Sequence, residues 1–267
     1  MNTTTERIAR IAELEWANYA ATSATARVTP GLDVVLRDDV IITSSEAFPS
    51  PDANHACLLR ATSQTVDSLI AEVTDYFKSK DLLPTLFISP ACTPADLPER
   101  LLGWGFVKQR TEEAWVVLDL LDFQIPALSH KVVIRRVAQD QALAFAEIFM
   151  AAFDLPSDFA PYMAQLLEPS LSLPGVRHYI ALIDGQPVGT CSLIRHKNFG
   201  ILGSAGVLLE HRKSGAATNL AIKAVTEARE QGIDTVMAQT MAGTWLERLL
   251  CISGFKRVFT RTCYTLP

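Results

Sequence analysis

The alternation of apolar and polar positions is clearest in the second half of the chain. Residues 131–137 (KVVIRRV) form a short β-prone run. Residues 141–153 (QALAFAEIFMAAF) repeat apolar side chains at helical spacing, with Asp140 placed to cap the helix. Two β-rich runs, 177–183 and 186–194, meet at Asp184-Gly185, a dipeptide that accepts positive φ and so predicts a hairpin. A third run, 199–209, follows the polar turn His196-Lys197-Asn198. A long helix is expected over 215–230, with Leu220, Ala224 and Ala228 on one face and Gly232 supplying a left-handed cap at its end. A strand at 235–240, a short helix at 244–251 and a strand at 258–265 follow. The order β-α-β-β-β-α-β-α-β predicts an α/β sheet with helices packed on it.

The first half has a vaguer front and a similar tail. Residues 33–43 predict a hairpin around Arg37-Asp38-Asp39, 66–77 a helix, 85–89 a strand, 96–102 a short helix and 114–118 a strand. Between the halves, residues 121–130 (LDFQIPALSH) hold Pro126 and no helical period, which marks a linker. Each half closes alike. Glu99-Arg100-Leu101-Leu102 precedes Gly105-Phe106, and Glu247-Arg248-Leu249-Leu250 precedes Gly254-Phe255; an aromatic residue, Trp115 or Tyr264, follows each Phe by nine positions. The recurrence implies internal duplication of a unit of roughly 130 residues.

Composition narrows the class. The 267 residues are 49% hydrophobic with a net charge of -5, which excludes global disorder and gives ample chain for a core. The acidic pI of about 5.6 argues against a nucleic-acid partner. The charge is split: residues 1–130 carry 10 Lys+Arg and 18 Asp+Glu, whereas residues 131–267 carry 14 and 11. The basic half is the better candidate to meet an anion. Five scattered cysteines (57, 92, 191, 251 and 263) make no CxxC pair, and five histidines make no HExxH cluster, so neither disulfides nor a metal is expected. The acidic N-terminal segment and the lack of an apolar run of membrane-spanning length predict a soluble, cytoplasmic protein with no membrane partner.

The chemistry-bearing feature is the strand-to-helix turn from Gly206 to Leu220. Gly215, Ala216 and Ala217 allow backbone N–H groups to approach a phosphate at the helix start, and Arg212 and Lys213 add full positive charge. Neither a GxGxxG fingerprint nor a GK[ST] loop is present, and a plain close-packed turn explains the small residues as well.

Arg212-x-x-Gly215-x-Ala217 between a strand and a long helix, followed about 40 residues later by Gly254-Phe255, resembles the acyl-CoA motif of the GNAT superfamily of N-acyltransferases. The resemblance covers residues 131–267. It implies an α/β (α+β) protein of two tandem acyl-CoA N-acyltransferase-like domains, each a mixed, mostly antiparallel sheet with helices on both faces. Residues 1–125 would be a degenerate copy, because 59–66 lack a glycine where the loop belongs, and 126–267 the acyl-CoA-binding domain. The resemblance further implies that backbone amides of Arg212, Lys213, Ser214, Gly215, Ala216 and Ala217 hold the CoA pyrophosphate. Gly206, Val207 and Leu208 would pair with the pantetheine, beside a β-bulge that orients the acyl carbonyl. Acetyl-CoA or another acyl-CoA is the implied co-substrate, and a small-molecule or peptide amine the acceptor, with direct transfer and no metal. The acceptor pocket would be built from the weakly patterned residues 154–176 and from the first half.

Three positions depart from the family pattern. Leu250 stands where a proton-donating Tyr is frequent, Gly243 where an Asn begins the short helix, and residues 201–207 hold no Glu to serve as base. The side chains left as catalytic candidates are Ser204, Glu210, Cys251 and Tyr264, each with an equally ordinary role in packing or at the surface. The departures also leave open a non-catalytic acyl-CoA-binding regulatory or interaction protein.

Overall fold

The computed structural model describes residues 3–46, 48, 50–127 and 131–267, so the end of the linker, including His130, lies outside the described residues. The chain opens with α1 (Thr4–Ala26), β1 (Leu32–Leu36), β2 (Ile41–Ser45), β3 (His55–Cys57), α2 (Val66–Ser79), β4 (Thr85–Ile88), α3 (Leu97–Gly103) and β5 (Val107–Asp119). It continues through β6 (Val133–Arg136), α4 (Ala142–Ala152), α5 (Ala160–Leu167), β7 (Val176–Ile183), β8 (Gln186–His196) and β9 (Phe199–Val207). It closes with α6 (Ala216–Glu230), β10 (Thr235–Met241), α7 (Trp245–Ile252) and β11 (Lys256–Thr265). Residues 1–116 with 239–267 form one compact unit and 117–238 the other. The second unit begins at residue 117, so the expected 125/126 boundary lies within it.

In the first unit the strand order is β1-β2-β3-β4-β11-β5. β11 pairs antiparallel with β4, from Thr262 opposite Ile88 to Thr265 opposite Thr85. One core gathers Val66, Ile70, Val73 and Phe77 from α2 against Leu86, Leu97, Leu101, Phe106 and Tyr264. Helix α1 has no counterpart among the sequence expectations. Thr3 and Glu6 cap it reciprocally, the Glu6 N–H reaching Thr3 Oγ1 at 3.2 Å and the Thr3 N–H reaching Glu6 Oε2 at 2.7 Å. Its inner face buries Ile11, Leu14, Ala17 and Ala21, and with them the charged Glu15.

The recurring tails are geometrically alike. After α3 the Phe106 N–H bonds Leu101 O at 2.9 Å, and after α7 the Phe255 N–H bonds Leu250 O at 3.0 Å. Gly105 (φ 89°) and Gly254 (φ 100°) take the left-handed conformation that makes this helix cap, and both phenylalanines are buried.

The second unit orders its strands β10-β9-β8-β7-β6. β6 to β9 form an antiparallel meander and β10 runs parallel to β9, from Thr235 opposite Phe199 to Ala238 opposite Leu202. Two glycines show which helix covers which face. A Cβ on Gly206 would meet Ala152 of α4 at 2.7 Å, and one on Gly189 would meet Leu220 of α6 at 3.2 Å. Gly189 lies opposite Val207 in the register, so α4 and α6 cover opposite faces. Two local expectations change. Asp140 sits in a 3-10 turn (Gln139–Gln141) and does not cap α4, whose N-cap is Gln141 with no side-chain bond. Helix α5 arises in the stretch without a readable period and buries Ala160, Ala164, Leu166 and Leu167.

Candidate functional site

Strand β9 carries a bulge where the phosphate-loop hypothesis needs one. Thr190 pairs with Gly206 and Ser192 with Gly203, so three steps on β9 oppose two on β8. The extra residue falls at Ser204–Ala205, with Ser204 in the left-handed region at φ 47°. Thr190 pins the bulge by donating its hydroxyl to Ser204 O at 2.9 Å. Ser204 is thus placed by backbone geometry. Thr190, which the sequence reading missed, is fully buried and offered no motif by which to find it.

Beyond the bulge, Leu208 returns to the meander, its N–H bonding Val188 O at 2.9 Å. A single 3-10 turn (Leu209–His211) then leads into the loop. Lys213 (φ 67°) and Gly215 (φ 90°) are both left-handed. A Cβ on Gly215 would meet nothing within 4 Å, so the glycine answers the backbone conformation and not crowding. The Ser214 hydroxyl accepts the Ala216 N–H at 3.3 Å. Among the described residues, the N–H groups of Lys213, Gly215, Ala217 and Thr218 have no intrachain acceptor. Four open donors stand at the head of a 15-residue helix, where the helix dipole favours an anion. Arg212 and Lys213 are exposed beside it and make no ion pair among the described residues. This donor set and charge fit the diphosphate of a coenzyme A.

The expected site residues are therefore brought together in part. Gly206, Val207 and Leu208, Arg212 to Ala217, Ser204 and Glu210 lie on one strand–loop–helix passage of the second unit, with Glu210 exposed. Cys251 and Tyr264 lie in the first unit. Cys251 is exposed at the end of α7, whereas Tyr264 is packed into the α2 core, where burial, Glu99 and Glu112 raise its phenol. Gly243, where the family pattern has Asn, is left-handed at φ 75° and donates its N–H to Glu247 Oε2 at 2.6 Å. The α7 start is thus capped by Glu247 and Thr244.

Two further features of the second unit were not signalled by sequence. His178 spans Ser170 and Ser192: Nε2 lies 2.9 Å from Ser170 Oγ and Nδ1 2.7 Å from Ser192 Oγ. The Ser170 hydroxyl donates to Leu167 O, so Nε2 carries the proton and Ser192 donates to Nδ1. Burial, aided by Arg136, lowers the imidazole to about 4. An open cavity of about 580 Å³ lies at the β6 edge, lined by Arg136 to Gln139 with Glu168, Pro169, Leu171 and Ser172, and includes no residue of the 212–217 loop. Among the described residues no group of His, Cys, Asp and Glu is arranged to hold a metal, and no helix is long and apolar enough to cross a membrane.

Residues 142–244 match the acetyltransferase (GNAT) family model. The match contains β7, β8, the bulged β9, the loop and α6. The fold resembles that of a GCN5-related N-acetyltransferase from Kribbella flavida (TM-score 0.62, 18% identity, 93% of this chain and 95% of that one). It also resembles a tandem GNAT protein from the clavulanic acid biosynthesis pathway (TM-score 0.62, 13% identity, 98% and 95%). A GCN5-related N-acetyltransferase from Sphaerobacter thermophilus is similar as well (TM-score 0.60, 16% identity, 88% and 82%). No curated protein matches the chain in sequence.

Proposed function

We propose that this chain, whose residues 142–244 match the acetyltransferase (GNAT) family model, transfers an acetyl group from acetyl-CoA directly to the amine of a small molecule or peptide. The observation that carries the reading is the passage from bulged strand to open-donor loop. The open backbone N–H groups of Lys213, Gly215, Ala217 and Thr218 at the start of α6 would hold the diphosphate, with Arg212 and Lys213 adding charge. Gly206 to Leu208 would bond the pantetheine, and the Ser204–Ala205 bulge would aim an N–H at the acyl carbonyl as negative charge develops there. The amine nitrogen attacks the thioester carbon; the C–N bond forms as the C–S bond breaks. The nitrogen loses a proton to solvent, and the departing thiolate takes one from solvent. Leu250 donates no proton, so the acceleration rests on positioning two substrates and on the bulge dipole. Residues 1–125 and 126–267 are read as two copies of the fold, the first without the loop.

Isothermal titration with acetyl-CoA tests the reading. Saturable binding is expected, and Arg212→Ala/Lys213→Ala should weaken it by about tenfold, or 1.4 kcal/mol. No heat at millimolar ligand would overturn the cofactor assignment. Binding without thiol release across a broad amine panel would overturn the enzymatic one and leave an acyl-CoA-binding regulatory protein.

A further inference from the structure

The open cavity of about 580 Å³ at the free edge of β6 holds no residue of the passage from β9 to α6, yet it has the size of a small-molecule site. Its lining offers both signs of charge and an apolar surface. Arg136 and Glu168 contribute a guanidinium and a carboxylate, and Val137, Pro169 and Leu171 the apolar part. Neither charge is ion-paired among the described residues. A free amino acid carries the complementary set: a carboxylate that takes two parallel N–H bonds from the guanidinium, an ammonium that donates to the carboxylate, and a compact apolar side chain. A ligand with one charge alone would meet a like charge across the same cavity, so the lining favours the molecule that carries both.

One wall of the cavity is the 3-10 turn Glu168–Ser172, whose buried residue, Ser170, is tied into the sheet. His178 donates Nε2–H to Ser170 Oγ at 2.9 Å, and Ser192 donates its hydroxyl to His178 Nδ1 at 2.7 Å. All three side chains are buried. Burial and the nearby Arg136 guanidinium together keep the imidazole neutral, so it has one proton to give and one lone pair to offer. Ser192 pairs with Gly203, the last regular pair before the β9 bulge. A hydrogen-bonded chain therefore runs from the cavity wall through β7 and β8 to the bulge; β6 and β9 are three strand spacings apart, about 14 Å. Moving Ser170 strands the Nε2–H unless the ring follows, and a ring that follows pulls on Ser192.

We infer that this cavity is a regulatory site for a free amino acid with an apolar side chain, and that its occupancy is felt at the β9 bulge through Ser170, His178 and Ser192. Binding in the cavity stands apart from the acyl-CoA reading. Only its regulatory sense rests on that reading, because the bulge is where the acyl carbonyl would be held.

Titration of the full chain with L-leucine tests the site. Leucine should bind saturably, whereas isocaproate, which lacks the ammonium, and isoamylamine, which lacks the carboxylate, should each bind about tenfold more weakly. Arg136→Gln and Glu168→Gln should each weaken leucine by about the same factor. Hydrogen exchange read by mass spectrometry tests the coupling without any coenzyme: saturating leucine should change protection over residues 203–206 by about fivefold. Ser170→Ala should abolish that change while leucine still binds, and Ser192→Ala should do so from the far end of the chain. Leucine should also shift coenzyme A affinity by about fivefold, and coenzyme A should shift leucine affinity by the same factor. No binding by leucine or any other common amino acid at tens of millimolar, or binding that neither Arg136→Gln nor Glu168→Gln weakens, overturns the site. Binding with unchanged exchange over 203–206 overturns the regulatory coupling. Failure of coenzyme A to bind, with leucine binding and exchange as expected, overturns the acyl-CoA reading and leaves the amino-acid site supported.

Discussion

Replacing Arg261 by Leu removes the guanidinium from the buried polar network of the first unit. Arg261 is 1% exposed and Glu15 is 0% exposed. The guanidinium reaches Glu113 at 2.6 Å, the Tyr19 hydroxyl at 2.8 Å and Glu15 at 3.4 Å, and lies 4.6 Å from the Phe87 ring and 4.9 Å from that of Trp115. Ser89 holds the other Glu15 oxygen at 2.6 Å. Leaving a buried carboxylate without its cation costs about 3–5 kcal/mol. The lost donor to Tyr19 adds about 1 kcal/mol, while new apolar contact with Phe87 and Trp115 returns a similar amount. The expected loss is therefore about 4 kcal/mol, a large share of the roughly 5–15 kcal/mol that holds a domain. Urea unfolding followed by tryptophan fluorescence measures it, because Trp115 lies beside the guanidinium. The loss should depend on pH. Burial raises the Glu15 carboxyl above its ordinary 4.5, and Arg261 opposes that rise, so the variant raises it further. A carboxyl with a raised folded value is most stable protonated: its contribution is full below 4.5 and is lost as pH climbs through the folded value. The penalty should thus be smaller at pH 4.5 than at pH 7.5, and Glu15→Gln placed on Arg261→Leu should recover part of it. A loss below about 1 kcal/mol, or one equal at both pH values, would refute the account of a coupled buried ion network.

Other outcomes follow from the second unit. Gly206→Ala puts a Cβ 2.7 Å from that of Ala152, so thermal unfolding should show a loss of about 1–3 kcal/mol as α4 is pushed off β9. Gly215→Ala meets open space but keeps a positive φ; stability should fall by only about 1 kcal/mol, while titration should show acetyl-CoA affinity falling more steeply as the loop relaxes. His178, lowered from 6.5 to about 4, is neutral in the fold and protonates more readily unfolded. Its contribution is full above pH 6.5 and is lost as pH falls toward 4, about 3 kcal/mol in all, and His178→Gln should flatten that part of the acid-unfolding profile.

The parts legible in the sequence were those fixed by short-range chemistry. Asp184-Gly185 made its hairpin with both residues at positive φ, the α6 period of Leu220, Ala224 and Ala228 faced inward, and Gly105 and Gly254 capped their helices alike. Features set by distant partners were not legible. Arg261 lies in a polar stretch of β11 that reads as surface, yet its partner Glu15 stands 246 residues away on a helix that the sequence reading did not find. Glu15 reads as a solvent-facing charge for the same reason: its burial depends on a cation that no local window contains. The cap that fixes Phe153 and Leu155 was hidden differently, because Asp154 takes the left-handed position where a glycine would have announced it. The strand-to-helix turn stood out because each step from strand to helix uses particular residue types at short spacing. Helix α5 was not, because Ala160, Ala164 and Leu167 gain their apolar partners, Phe145 and Ile180 among them, only once the unit is packed. A feature set within one turn can thus be read from a short window, whereas features set by packing, such as the burial of Glu15 and the inner face of α5, cannot.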